Sequence, residues 1–186
     1  YAEVVVADYL LIRADFSELS NFSDREIDQW LVNKTAYISI PQAQQSIVNS
    51  AIGIIEDDRI EAYRPYRYGR ALVFKSGSGL IDVKGAGTTK PAQCSHRNGL
   101  ATLGEMLREF AYEKMISGLF AFDQSGHQTV GSYAVLAFDF LVKHQDGKTS
   151  PAGAILRQAH DRYEHVEKEE EEQIEETQQA PAQQGQ

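Results

Sequence analysis

The chain has 186 residues, 42% of them hydrophobic, and a formal net charge of −9 at pH 7, which suits one ordinary domain, with or without a tail, and excludes collagen-like, wholly disordered and disulfide-dense proteins. Its single cysteine, Cys94, cannot form an internal disulfide bond, which favours a reducing compartment. No apolar run approaches the roughly 18 residues of a membrane span, and the first residues lack the order of a signal peptide, so we expect a cytoplasmic protein without membrane contact.

Residues 1–65 are predicted to form an N-terminal α/β extension. The run AEVVVADYLLIRA is rich in β-branched residues and predicts a strand. Ser23 and Glu26 have the spacing of a capping box, ahead of apolar residues at helical spacing (Ile27, Trp30 and Leu31), so a helix is predicted there. The later segment SIVNSAIGIIE is compatible with a helix or a strand. Packing accounts for all of these residues, and we expect no catalytic role for them.

Short strands separated by glycines begin near Tyr68. YGRALVFK predicts a strand, SGSG a tight turn and GLIDVKGAG the returning strand of an antiparallel hairpin. Because side chains alternate along a strand, Leu80, Asp82 and Lys84 share one face of the second strand. Lys84 is therefore predicted to project from a sheet.

The longest helix is predicted from Asn98 to Gly118. Its apolar stripe would consist of Leu100, Leu103, Leu107 and Phe110, and Gly118 would end it. TVGSYAVLAFDFLVKH and AGAILRQA then predict two strands joined by a turn at QDGKTSP. These elements predict an α+β fold, with one long helix packed on an antiparallel sheet.

The net charge is unevenly distributed. Residues 164–186 contain eight Glu and one Lys, a balance of −7, and with their Glu and Gln tracts they predict a disordered acidic tail. Residues 64–97 contain seven Lys or Arg and only one acidic residue, a balance of +6. That stretch predicts an anionic ligand. A nucleic acid is not expected, because residues 1–163 together carry −2.

The residues most indicative of chemistry are a strand Lys, glycines on both sides of it and a helix Glu. Glycines let backbone N–H groups approach phosphate oxygens, an ammonium neutralises them, and a carboxylate holds that ammonium in place. The pattern contains Gly69 and Arg70, then Lys84, Gly85 and Gly87, then Glu105 or Glu109. Spacing alone leaves two readings of the helix carboxylates, because they could face solvent or look into a cleft at Lys84.

Residues 66–163 resemble the selenoprotein O family of protein adenylyltransferases. The likeness rests on LIDVKGAGTTKP, NGLATLGEMLREFAYEKM, TVGSYAV and AILRQAHDRY, which are similar to the family's QLKGAG strand, its DGRAVLRSSIREFL helix and the segments that follow. It implies a protein-kinase-like N-lobe that binds ATP with Mg²⁺. In a complete enzyme of this family, AMP is transferred to hydroxyl groups of a protein substrate.

The resemblance also assigns roles to residues. Lys84 would contact the nucleotide phosphates, and Glu109, rather than Glu105, would pair with it as the other catalytic residue. The remaining cofactor-binding residues would be Gly69, Arg70, Gly85, Gly87, Asn98, Gly99, Arg157 and Arg162. No metal ligand is expected within this chain.

Some positions depart from the family pattern. Arg67 stands where the family's loop has its first glycine, Asn98 replaces an aspartate, and Arg162 is only the nearest match to a second family arginine. The metal-binding and base residues of a kinase-like enzyme come from a second lobe, and this sequence passes into its acidic tail instead. Two hypotheses follow: the ATP-binding lobe of an adenylyltransferase, or a non-catalytic, pseudokinase-like interaction module that works through the strip AYRPYRYGR or the tail.

Overall fold

The fold is taken from a computed structural model, which describes residues 2–38, 47–48, 70–76, 79–87, 99–124, 126–144 and 146–159. The predicted acidic tail, 164–186, lies outside these residues. So do most of the strip AYRPYRYGR and all but two residues of the segment SIVNSAIGIIE.

The described strands form a single antiparallel sheet. It contains β1 (Ala2–Ala7), β2 (Ile47–Val48), β3 (Ala71–Ser76), β4 (Gly79–Lys84), β5 (Ala101–Thr102), β6 (Ser132–Lys143) and β7 (Thr149–Gln158). Its order is β1-β6-β7-β4-β3, with β2 paired to β6 and β5 paired to β7. The mixed α+β class with an antiparallel sheet is therefore confirmed. The predicted hairpin is also present, because β3 and β4 pair from Ala71↔Lys84 to Ser76↔Gly79.

Helices cover both faces of this sheet. On one face lie α1 (Tyr9–Asp15), a 3-10 turn (Ser17–Leu19) and α2 (Asp24–Thr35), whose buried side chains share a core with those of the strands. On the other face lies α3 (Leu103–Asp123), which buries Met106 and Phe110 beside Val135 and Ile155. Alternation along β4 therefore directs Ile81 and Val83 towards the N-terminal helices and their neighbours towards α3.

The first prediction, a single strand over AEVVVADYLLIRA, is wrong in its second half. Strand β1 ends at Ala7, and α1 begins at Tyr9. Asp8 causes the change, because its side chain accepts a hydrogen bond from the backbone N–H of Leu11 at 3.1 Å and so caps the new helix. The three consecutive valines of the run all precede Asp8, and Ile12 of the helix is fully buried. A local cap thus overrides the apparent continuity of the apolar run.

The capping box predicted for the second helix is confirmed. The Ser23 side chain accepts from the backbone N–H of Glu26, and the Glu26 carboxylate accepts from the Ser23 backbone. The Glu26 carboxylate accepts from the Ser23 hydroxyl as well as from its backbone N–H, and these two hydrogen bonds hold the pKa of that exposed carboxyl below its ordinary value. Helix α2 then buries Ile27 and Leu31 as the spacing predicted.

The long helix is present, but its bounds and its packed face differ from the prediction. Thr102 is the N-cap, and the helix continues through Gly118 to Asp123, where Gln124 adopts a left-handed conformation. A Cβ at Gly118 would meet nothing within 4 Å, so nothing requires the chain to turn there. Leu100 precedes the helix, and Leu107 is 38% exposed. The buried stripe contains Met106 instead. Within the described residues, no helix is long and apolar enough to cross a membrane.

A partly buried tyrosine hydroxyl joins α1 to α2 and makes stability depend on pH. The Tyr9 hydroxyl donates to Asp28 Oδ1 at 2.7 Å, and burial together with this carboxylate raises the pKa of Tyr9 to about 12 from 10.0. Because the folded-state pKa lies above the unfolded one, this contribution is complete below pH 10 and is lost as the pH rises to about 12.

We therefore expect the free energy of unfolding to fall over this alkaline window, and to fall less in Tyr9→Phe. Urea unfolding at several pH values measures both slopes. Equal slopes for the two proteins would contradict the role of Tyr9.

Candidate functional site

The predicted contact between Lys84 and Glu109 is present. Lys84 is the last residue of β4 and faces α3, because Val83 before it faces the opposite core. Its Nζ lies 2.5 Å from Glu109 Oε2. Glu109 stands one turn beyond Glu105 on the helix, and both carboxylates reach back towards the sheet. For Glu109 the structure shows the second of the two readings, a side chain directed at Lys84 and not at solvent alone.

Glu109 also binds a second cation. Its Oε1 lies 3.0 Å from Nη1 of Arg157 on β7. The other terminal nitrogen of Arg157, Nη2, donates to Asp82 Oδ2 at 2.9 Å. Asp82 and Arg157 are directly opposed in the β4–β7 ladder. The four side chains thus form a continuous chain of ion pairs: Lys84, Glu109, Arg157 and Asp82.

Glu105 has a different partner. Arg70 binds it in a bidentate manner, with 3.1 Å from Nη1 to Oε1 and 3.3 Å from Nη2 to Oε2, and also donates to the carbonyl of Leu100. Sequence spacing could not predict which cation each glutamate binds. In the structure Glu105 binds Arg70, and Glu109 binds Lys84 and Arg157. Both arginines keep a buried Nε without a hydrogen-bond partner in the part of the chain that is described.

The glycines after Lys84 shape the backbone of the site. Gly85 and Gly87 have φ values of +102° and +91°, which favour glycine. A Cβ at Gly85 would lie 2.8 Å from the carbonyl oxygen of Gly153. Their N–H groups donate to the carbonyls of Arg70 and Gly99, at 2.7 and 3.2 Å. These two N–H groups are therefore already hydrogen-bonded to backbone carbonyls. A phosphate could bind them only if those hydrogen bonds broke.

Three predicted residues, Gly69, Asn98 and Arg162, lie outside the described part of the chain. Of the others, Gly99 is buried with φ +67° and supplies the carbonyl that accepts from Gly87. Arg70, Lys84, Glu109 and Arg157 are brought together on the α3 side of the sheet. Sequence reasoning gave Asp82 no functional role, although its position two residues before Lys84 on the same strand face was a usable signal.

An open groove of about 530 Å³ runs along the outer side of α3. Its lining includes Glu105, Glu109 and Glu113, with Arg108 as the one basic side chain among its residues. Lys84 and Arg157 do not line it. The groove therefore carries more acidic than basic groups, and it is not by itself a binding site for phosphates.

The six paired side chains carry no net charge. Three cations, Arg70, Lys84 and Arg157, oppose three carboxylates: Asp82, Glu105 and Glu109. The site therefore has no excess positive charge among these six side chains, and an anion would compete with their carboxylates for the three cations. No described group of three or more His, Cys, Asp or Glu residues could hold a metal ion. No family model and no curated protein matches the sequence.

Proposed function

We propose that this chain is an ATP-binding domain similar to the kinase-like lobe of selenoprotein O adenylyltransferases. The single observation that carries the proposal is the ion pair between the strand Lys84 and the helix Glu109. Protein kinases hold their phosphate-binding lysine in the same way, on a strand and paired to a glutamate of the neighbouring helix. In our proposal Lys84 contacts the phosphates and Glu109 orients it.

Arg157 and Arg70 would complete the cationic surroundings. Both side chains are largely buried and held by ion pairs, so their positions are well defined before a ligand binds. Guanidinium groups suit this role because they bind phosphate oxygens with directed hydrogen bonds. Four of the seven basic residues in the stretch 64–97 lie outside the described residues: Arg64, Arg67, Lys90 and Arg97.

Magnesium enters the proposal as part of the ligand. The carboxylates Asp82, Glu105 and Glu109 are each paired with a cation, so they do not fit a magnesium ion in this arrangement. Magnesium would arrive bound to the triphosphate, whose charge it partly neutralises. Transfer of AMP to a protein hydroxyl is the reaction that the resemblance implies for a complete enzyme, and it would need metal-binding groups beyond those described.

Replacing Lys84 by Met tests the proposal. We expect wild-type protein to bind Mg-ATP in calorimetric titration and Lys84→Met to bind it about thirtyfold more weakly, because one hydrogen bond from a charged donor contributes about 2 kcal/mol. Lys148→Met is the matched control, since Lys148 is an exposed turn residue paired only locally with Asp146. Well-folded wild-type protein that binds no adenine nucleotide would contradict the proposal.

A second candidate function, a non-catalytic interaction module, is favoured by the outer face of α3. Five large apolar side chains are exposed there: Tyr112, Met115, Ile116, Leu119 and Phe122. An exposed apolar patch of this kind is typical of a protein-binding surface. Binding of a protein partner that is lost in Leu119→Lys, but unaffected by ATP and by Lys84→Met, would favour this candidate over nucleotide binding.

A further inference from the structure

Arg157 binds two carboxylates that differ in burial and in the element that carries them. Its Nη2 pairs with Asp82 at 2.9 Å, and its Nη1 pairs with Glu109 at 3.0 Å. The side chain of Asp82 is 0% exposed, whereas that of Glu109 is 29% exposed. One of the two partners is therefore enclosed by protein, and the other borders the open groove.

The backbone holds the enclosed partner in place. Asp82 and Arg157 are opposed residues of β4 and β7, two strands joined by the antiparallel ladder. Glu109 reaches Arg157 from helix α3 and shares its carboxylate with Lys84. The Asp82 pair is thus defined by sheet pairing, while the Glu109 pair depends on the conformation of a longer and partly exposed side chain.

The charge balance determines which pair can open. Lys84, Arg157, Asp82 and Glu109 together carry no net charge, so Arg157 attracts an anion more strongly when one of its two carboxylates moves away. Separation from Asp82 would remove the guanidinium from a fully enclosed carboxylate, which is costly. Separation from Glu109 leaves a carboxylate that is partly exposed and still paired with Lys84. Separation from Glu109 therefore costs less free energy than separation from Asp82.

We infer that Asp82 is a positioning residue, which anchors Arg157 through Nη2 while Nη1 exchanges Glu109 for a phosphate oxygen of the ligand. The inference rests on the proposed nucleotide binding and adds to it a residue outside the family pattern, where Gln stands at this place. Asp82 contacts no ligand atom in this arrangement. It acts by keeping the guanidinium at the site when the contact with Glu109 opens.

The test is Mg-ATP binding by the full chain, with four variants measured by calorimetry. Asp82→Asn keeps the shape of the side chain and removes its charge, and we expect it to weaken binding about tenfold. In an Arg157→Lys background the same change should weaken binding less than twofold. Lysine lacks the planar guanidinium that can bind Asp82 with one nitrogen and a phosphate with another, so its contact with the ligand no longer depends on Asp82. Asp146→Asn, an identical change in an exposed turn, is the control and should bind as wild type does.

The outcomes separate this inference from the proposed function. If ATP binds and Lys84→Met weakens it, but Asp82→Asn binds within twofold of wild type, the inference is wrong and the proposed function stands. A tenfold loss that persists undiminished in the Arg157→Lys background also overturns it, because Asp82 would then not act through Arg157. If wild-type protein binds no adenine nucleotide, both the inference and the proposed function are wrong.

A measurement on wild-type protein covers the case in which Asp82→Asn does not fold. Nitrogen-15 NMR of the Arg157 guanidinium, assigned by its loss in Arg157→Lys, should give separate Nη1 and Nη2 signals when both are paired. Adding Mg-ATP should shift the Nη1 signal and leave Nη2 in place. A larger change at Nη2, or no change at either nitrogen on saturation, overturns the inference.

Discussion

Replacing Arg157 by Met is expected to lower the free energy of unfolding by about 3–5 kcal/mol, because it removes the guanidinium that pairs with a buried carboxylate. The carboxylate is Asp82, whose side chain is 0% exposed and which binds Nη2 of Arg157. Methionine retains much of the apolar stem, so the main change is the loss of the guanidinium. Urea unfolding, followed by the fluorescence of Trp30 beside Phe16, measures the loss.

Two variants distinguish this effect from a general cost of removing an arginine. Arg13→Met removes the much more exposed ion pair with Asp24, and we expect a loss of no more than about 1 kcal/mol. The double variant Asp82→Leu with Arg157→Met replaces both charges by apolar groups and should recover most of the lost stability. Equal losses for Arg157→Met and Arg13→Met would show that Asp82 does not depend on its partner.

Replacing Gly153 by Val is expected to destabilise the protein by about 3 kcal/mol, because no room exists for a side chain where α3 begins. A Cβ at Gly153 of β7 would lie 2.8 Å from the Cα of Leu103 and 2.9 Å from the carbonyl oxygen of Leu136. Both contacts are with backbone atoms, which cannot rotate away. The first turn of α3 would have to move off the sheet, and the same displacement would draw Glu109 away from Lys84.

Gly118→Ala is the matched control for this substitution. A Cβ there meets nothing within 4 Å, and the position is inside α3. Since alanine favours a helix over glycine, we expect a gain of up to about 1 kcal/mol. Urea unfolding compares the two variants, and Mg-ATP binding by Gly153→Val should be weaker than wild type. A neutral effect of Gly153→Val on stability would mean that α3 does not pack on β7 as closely as described.

Much of the fold could be predicted because local patterns specify it. The hairpin around SGSG, the capping box of Ser23 and Glu26, and the turn at Asp146 and Gly147 depend on a few neighbouring residues, and each is present in the structure. The wrong predictions concern the first strand and the end of the long helix. Asp8 starts a helix inside an apolar run, and Gly118 lies inside a helix that continues to Asp123.

The candidate site could be predicted only in part. The alternation of β4 was enough to place Lys84 on a sheet face, and the resemblance selected Glu109 as its partner. Spacing alone could not choose between Glu105 and Glu109, which are four residues apart and share a helix face. The position of α3 along its own axis, relative to β4 and β7, decides between them, and the close approach of Leu103 to Gly153 fixes where the first turn of α3 lies on the sheet.

The sequence by itself determined most of the elements and the face of β4 on which Lys84 lies, because these depend on side-chain periodicity along one strand or one helix. The pairing of Lys84 with Glu109 was expected only from the resemblance. Only the tertiary structure decided that Asp82, on β4, stands opposite Arg157, 75 residues later on β7, and that Glu109 binds two cations at once. The physical reason is that strand order and helix position are set by packing between distant segments, and no local pattern encodes which strand becomes the neighbour of another.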